Sequence, residues 1–182
     1  MIHKLSFSKK ISLGAMAVAL TLLALYAAAV LPTGRAACLF LSGVFVYALA
    51  CEKAYAGAVL CFLATAGLGF AIIPQPMVML AYVGLAGHYG IFHTFVGYKV
   101  QGRVQGMLLC LLYADAWLAA ALFAATRLLQ PDLVPSLLAV WPAAPWLLLP
   151  LSQVALLAAD ALYRIVQVFY RSRLRYAIIG RK

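Results

Sequence analysis

Long apolar runs, separated by short polar or proline-containing gaps, dominate the hydrophobic pattern of the chain. Most of them approach about 20 residues, the length that a helix needs to cross the hydrocarbon core of a membrane. They lack the period-two alternation expected of barrel strands. The pattern therefore predicts one all-α domain over residues 1–182, an integral membrane bundle of six transmembrane helices. The predicted spans are about residues 11–31, 36–51, 55–73, 77–98, 106–129 and 145–170.

The first run raises the question of a signal peptide, because basic residues precede it and small residues lie near its end. The run from Ile11 to Leu31 is longer than the usual apolar region of a signal peptide, about 7–15 residues. We therefore expect an uncleaved first helix. Pro32 and Gly34 end this run, and Pro74 and Pro76 separate the third run from the fourth.

Composition excludes an ordinary soluble domain, since 67% of the residues are hydrophobic and 10% are charged. The four cysteines lie in or beside apolar runs without a C-x-x-C pair, which favours packed small hydrophobes. The sequence contains no phosphate-binding loop, no G-x-S-x-G and no H-E-x-x-H. We therefore expect no enzyme activity, no cofactor and no metal site.

The net charge is +10, and the basic residues are distributed as in a membrane protein rather than as in a protein that binds nucleic acid. With the N-terminus inside, twelve of the 14 basic residues fall on the inner side, and only Arg35 and Arg127 fall outside. This predicts that both termini are cytoplasmic, in a multipass protein of the plasma membrane of a bacterium. Membrane lipid is the expected neighbour, and no nucleic acid is expected.

Two further segments leave alternatives open. Residues 131–144 are too short and too rich in proline to span, so they form either an interfacial helix or an outer loop with a tryptophan anchor. The C-terminal sequence RSRLRYAIIGRK alternates basic and apolar residues. It predicts anchoring on anionic lipid, or a docking segment for a cytoplasmic partner.

Ionisable residues inside the spans are the main functional candidates, because burying them in a membrane is costly. His88, Asp115 and Asp160 each lie nine or ten residues from an inner helix end, about 15 Å along the axis. They could therefore meet near the midplane. Asp115 lacks a partner on its own helix, and His88 is its expected partner. The pair would either contact a ligand or exchange a proton, or it would form a hydrogen bond that only stabilises the bundle.

The other polar residues of these spans have simpler interpretations. Arg164 follows Asp160 by four residues, which predicts a structural ion pair within one helix. His93 lies about 140° around the helix from His88, so the two do not suit one metal ion, and His93 is expected to be structural or partner-facing. Glycines 84, 87 and 90 recur every three residues and predict a groove that admits a neighbouring helix or a ligand.

Near the outer end, Arg35, Tyr82 and Gln153 are candidate ligand contacts. Tyrosine is common at membrane interfaces without any binding role. Gln153 lies about eight residues inside the sixth span. It could line an outward-open pocket or form a hydrogen bond to another helix.

The first span reads ISLGAMAVALTLLALYAAAV, with Ala15 and Ala19 in an Ala-x-x-x-Ala spacing. Together with the six spans, the length and the basic N-terminus, this resembles the substrate-binding S components of energy-coupling-factor (ECF) vitamin transporters. The resemblance implies that Ala15 and Ala19 pack on a transmembrane coupling subunit that works with ATPases. It also implies that a small molecule binds toward the outer face, whereas the polar residues found here lie near the midplane.

The leading functional hypothesis is therefore a substrate-binding subunit of a small-molecule, vitamin-like transporter, acting with partner subunits. One alternative is a structural or assembly protein whose polar residues only hold the bundle together. Another is a proton-coupled carrier that uses Asp115 and His88.

Overall fold

The computed structural model describes residues 7–100, 102–124, 126–127, 144–170 and 172, and these residues form an all-α structure. The interfacial segment predicted at 131–144 lies almost entirely outside the described residues, as does nearly all of the basic C-terminal sequence. The helices are α1 (Phe7–Val30), α2 (Arg35–Cys51), α3 (Tyr55–Ile72), α4 (Pro76–Ala81), a π-helical segment (Tyr82–Ala86), α5 (Gly87–Lys99), α6 (Arg103–Ala124) and α7 (Ala144–Phe169).

The helices follow the six apolar runs, with one internal difference. The fourth run is helical from Pro76 to Lys99, but a π turn divides it into α4 and α5. There the backbone N–H of Gly87 donates to the carbonyl of Tyr82, five residues earlier. A single π turn inside an α-helix is typical of functional sites, and a hydrophobic pattern does not reveal it.

Turn residues explain where helices begin and end. Gly34 precedes α2 with φ +82°, a left-handed conformation that glycine adopts without steric cost. Lys53 also has positive φ, 58°, in the tight turn between α2 and α3. Pro76 begins α4, where the missing N–H of proline costs nothing.

Three buried clusters hold the helices together, and α1 packs against both α2 and α3. The first cluster joins the end of α1 to the start of α4 and is centred on Leu25 and Met79. The second joins α1, α2 and α3 around Val46 and Cys61. The third joins α2, α5, α6 and α7 and contains Tyr163. This third cluster surrounds the charged residues described below.

The predicted glycine groove is filled by aromatic side chains from neighbouring helices. A Cβ on Gly90 would lie 2.9 Å from the ring of Tyr47, and one on Gly87 would lie 2.6 Å from the ring of Phe62. Gly43 of α2 allows the closest approach, because a Cβ there would collide with the carbonyl oxygen of Ala86 in the π segment. Helix packing therefore accounts for this groove.

Two of the described helices are long and apolar enough to cross a membrane, at Ser8–Val30 and Tyr55–Ile72. Arg35–Cys51 and Val104–Ala120 are shorter apolar helices. Their length and composition suggest that the protein associates with a membrane.

Candidate functional site

A buried carboxylate with two basic neighbours is the most concentrated polar feature of the described residues. Asp160 of α7 is 5% exposed. Its Oδ2 accepts from Nη2 of Arg164 at 2.7 Å, in the i, i+4 arrangement that the sequence predicts. His93 of α5 places Nε2 3.0 Å from Oδ1 of Asp160. This second contact is a close approach rather than a well-directed hydrogen bond, since Oδ1 has no partner in hydrogen-bond geometry.

Aromatic rings enclose this group, which we call the Asp160 cluster: Asp160, Arg164 and His93. The ring of Tyr163 lies 6.1 Å from that of His93 and 4.9 Å from that of Tyr47. The hydroxyl of Tyr47 donates to the carbonyl of Tyr163 at 3.1 Å, which ties α2 to α7. The low dielectric of such surroundings strengthens the ion pair but makes any unpaired charge costly.

An open cleft of about 260 Å³ adjoins the Asp160 cluster, and we call this cleft the inner cleft. All three residues of the cluster line it, together with Gln167 of α7. Its remaining wall comes from the end of α5, the start of α6 and their connection, where glycines leave room; these are Gly97, Gly102 and Gly106. The cluster is therefore buried on one side and reachable from a cleft on the other.

A second cleft of about 210 Å³ shares His93, Gly97 and Gln167 with the first. Lys53 and Tyr98 also line it, and the ammonium of Lys53 lies 4.1 Å from the centre of the Tyr98 ring. His93 thus belongs to both clefts, while its Nδ1 is buried without a hydrogen-bond partner.

The predicted pairing of His88 with Asp115 is not the one found in the structure. Nδ1 of His88 lies 3.1 Å from the hydroxyl of Tyr113, and its ring centre lies 4.7 Å from that of Trp117. Tyr113 and Trp117 are four residues apart and share one face of α6. Asp115 follows Tyr113 by two residues, about 200° around the helix, and so faces away from His88.

Asp115 pairs with α7 instead. Nε2 of Gln153 donates to Oδ1 of Asp115 at 2.8 Å, so Gln153 makes the helix-to-helix hydrogen bond that was one of its two expected roles. The other predicted ligand contacts lie in different surroundings. Arg35 is exposed and its Nε donates to the carbonyl of Leu31 at 3.1 Å, whereas Tyr82 is fully buried beside Phe62.

Ala15 and Ala19 are both exposed on α1, so they do not pack inside the bundle. Their neighbour Ala17 is buried, and Gly14 faces Cys61 of α3. The two alanines therefore form a shallow strip on the face of α1 that points away from the other helices.

Sequence reasoning missed His93 as a neighbour of Asp160. A buried carboxylate has two oxygens to satisfy, and one arginine contact leaves the second open. That requirement was the signal for a further partner, but the rotation of α5 decides which histidine supplies it.

Within the described part of the chain, no group of three or more His, Cys, Asp or Glu side chains is placed to hold a metal ion. No family model matches the sequence, and no curated protein and no solved structure matches it either.

Proposed function

We propose that the chain is a multipass membrane protein with six spans. The support is its apolar surface: large hydrophobic side chains are exposed on α1, α3, α6 and α7, such as Leu23 at 66%, Leu60 at 66%, Leu112 at 68% and Val168 at 68%. Soluble monomers rarely expose contiguous apolar patches beyond a few hundred Å². In a membrane, lipid tails contact such a surface, so no free energy is lost by exposing it to water.

The distribution of basic residues supports cytoplasmic termini and a location in a bacterial plasma membrane. In this orientation Lys53 and Lys99 lie at inner helix ends, and both clefts are on the cytoplasmic side. Arg35 and Arg127 lie at the outer ends.

The function that we propose is a ligand-binding subunit of a small-molecule transporter. One observation carries this proposal: a buried charged group borders an open cleft inside a largely apolar bundle. Ionisable groups at membrane depth are expensive, and they commonly mark the path of a substrate, an ion or a proton. In this proposal the ligand occupies the inner cleft in the inward-facing state.

The exposed positions of Ala15 and Ala19 support the more specific version, a subunit like the S component of an ECF transporter. Small residues on a lipid-facing helix let a partner helix approach closely. The partners would be a transmembrane coupling subunit and its ATPases, and the chain itself would hydrolyse no ATP.

A structural or assembly role is the second candidate, and two observations favour it. Gly87 and Gly90 of the fourth run pack against aromatic rings, and Asp160 finds one partner on its own helix. In that case the Asp160 cluster would only stabilise the packing of α5 against α7.

The two proposals are separated by purifying tagged protein from native membranes, with mass spectrometry of the proteins and small molecules that come with it. A transporter subunit should bring down a coupling subunit and ATPases. Replacing Ala15 and Ala19 with leucine should abolish their recovery. The same change at Ala64 and Ala71, two exposed alanines of α3, should not.

Recovery of the chain alone, with neither partner nor ligand, would contradict the transporter proposal and favour the structural role. Recovery that is equally sensitive to both double variants would contradict the assignment of α1 as the contact surface.

A further inference from the structure

The inner cleft offers side-chain hydrogen-bond donors that the acidic residue does not use. Only Nη2 of Arg164 contacts Asp160, whereas a guanidinium has five N–H donors. The Arg164 side chain is 34% exposed, so its remaining donors are accessible from the cleft that it lines. Gln167, three residues later on α7, adds an amide on the same side of the helix.

The carboxylate of Asp160 also lines the cleft, but both of its oxygens face basic side chains. Oδ2 contacts Arg164 and Oδ1 lies 3.0 Å from His93. The Asp160–Arg164 pair is neutral as a unit. Lys53 of the adjoining cleft adds positive charge, partly offset by the neighbouring Glu52, and Lys99 at the end of α5 adds more.

The cleft opens near the inner end of α7, close to the inner membrane interface in the proposed orientation. Arg164 and Gln167 precede Tyr170 by six and three residues, about 9 and 4.5 Å along the helix axis. Basic pockets between helices on the cytoplasmic side are typical sites for phosphate-bearing head groups.

We propose that the inner cleft binds one phosphate group, held by the guanidinium of Arg164 and the amide of Gln167. The planar fork of arginine matches the geometry of phosphate oxygens. The volume of about 260 Å³ is below the range of about 300–1,000 Å³ typical of pockets for drug-sized ligands. The cleft therefore suits a phosphate with few atoms attached.

An anionic phospholipid head group and a small soluble phosphate compound share this chemistry. The inference rests on the proposed function, because it names the ligand class of the same cleft. Two measurements distinguish the sources. Protein in phosphatidylcholine nanodiscs is titrated calorimetrically with inorganic phosphate and with glycerol 3-phosphate. Separately, native mass spectrometry counts the phosphatidylglycerol molecules retained from mixed phosphatidylcholine–phosphatidylglycerol nanodiscs.

Two variants test the cleft residues. Gln167→Ala leaves the ion pair intact and should weaken phosphate binding several-fold. Asp160→Asn combined with Arg164→Gln removes both charges together, so that no lone charge is buried. This double variant should weaken binding about tenfold or more, the loss expected for charge-assisted hydrogen bonds.

Arg127→Gln is the matched control. Arg127 lies at the opposite end of the bundle, 5.6 Å from the centre of the Phe123 ring, and its replacement removes an arginine without touching the inner cleft. Binding in this variant should equal that of the unmodified protein.

Binding of a soluble phosphate, or retention of one phosphatidylglycerol, supports the proposal if it depends on Arg164 and Gln167 but not on Arg127. The two results identify a soluble or a lipid source, respectively. Absence of both overturns it, as does binding that is indifferent to the cleft variants. Failure here together with recovery of transporter partners would refute only the ligand class. Phosphate binding without partners would refute only the transporter role.

Discussion

Replacing Gly43 with alanine should weaken the junction between α2, the π segment and α7. The added Cβ would collide with the carbonyl oxygen of Ala86 and would lie 2.5 Å from the hydroxyl of Tyr163. Ordinary van der Waals contacts of a Cβ begin at about 3.5 Å. The hydroxyl can move by rotation of its side chain, whereas the Ala86 carbonyl is fixed in the helix backbone. Helix α2 must therefore move away.

A matched substitution isolates this effect. Gly67 of α3 has no atom within 4 Å of an added Cβ and is exposed. Both substitutions gain the same helix propensity, about 1 kcal/mol, so this contribution cancels in the difference between them. The difference is then the cost of overpacking at Gly43, about 1–3 kcal/mol, and we expect the upper end because a backbone atom is involved.

The assay is reversible unfolding of the purified protein in mixed micelles, with helical content followed by circular dichroism. Gly43→Ala should unfold at a lower denaturant concentration than the unmodified protein, and Gly67→Ala at the same or a higher one. Equal stability of the two variants would refute the close approach of α2 to the π segment. It would also remove the packing explanation for Gly43.

Three other substitutions test the polar contacts in the same assay. Asp160→Ala should destabilise the protein by about 1.5–3 kcal/mol because it removes the charge-assisted contact with the partly exposed Arg164. Adding Arg164→Leu should restore part of the loss, and no restoration would argue against a coupled pair. Tyr47→Phe should cost about 0.6–1.7 kcal/mol by losing its hydrogen bond to α7, whereas Tyr26→Phe, at a 49% exposed position, should cost nothing measurable. Asp115→Asn keeps an acceptor for the α7 amide and should change stability by less than about 0.5 kcal/mol; a larger loss would show that the charge matters there.

The hydrophobic pattern predicted the helices because each apolar run is long and is ended by proline, glycine or charge. The predicted start at residue 36 and the observed start at Arg35 differ by one residue. The differences are larger where polar residues form the first turn of a helix: α1 begins at Phe7 rather than 11, and α6 begins at Arg103 rather than 106. The π turn lies where Gly43 of α2 packs against the carbonyl of Ala86, and no local pattern encodes this contact between helices.

The polar contacts were predictable only where both partners lie on one helix. Asp160 and Arg164 are four residues apart, so their pairing follows from helical geometry alone. Contacts between helices also depend on the rotation of each helix. That rotation places Tyr113 of α6 toward His88, and it places His93 beside Asp160.

Depth alone therefore could not assign partners. His88 and Asp115 were correctly treated as polar groups in need of a partner, and each forms a hydrogen bond across helices. The partners differ from the predicted ones because residues close together in the sequence lie on different faces of a helix. A shift of two positions along α6 separates the face toward α5 from the face toward α7.

We propose a six-span bundle whose inner cleft faces the cytoplasm, and the accessibility of single residues in cells is the first measurement to make. Single cysteines are placed at Arg35 and Pro74, and at Lys53 and Lys99, in a background where the four native cysteines are serine. A membrane-impermeant maleimide is applied to intact cells and then to permeabilised cells. We expect Arg35→Cys and Pro74→Cys to react in intact cells, and Lys53→Cys and Lys99→Cys to react only after permeabilisation. Reaction of Lys53→Cys or Lys99→Cys in intact cells would contradict the cytoplasmic position of the inner cleft.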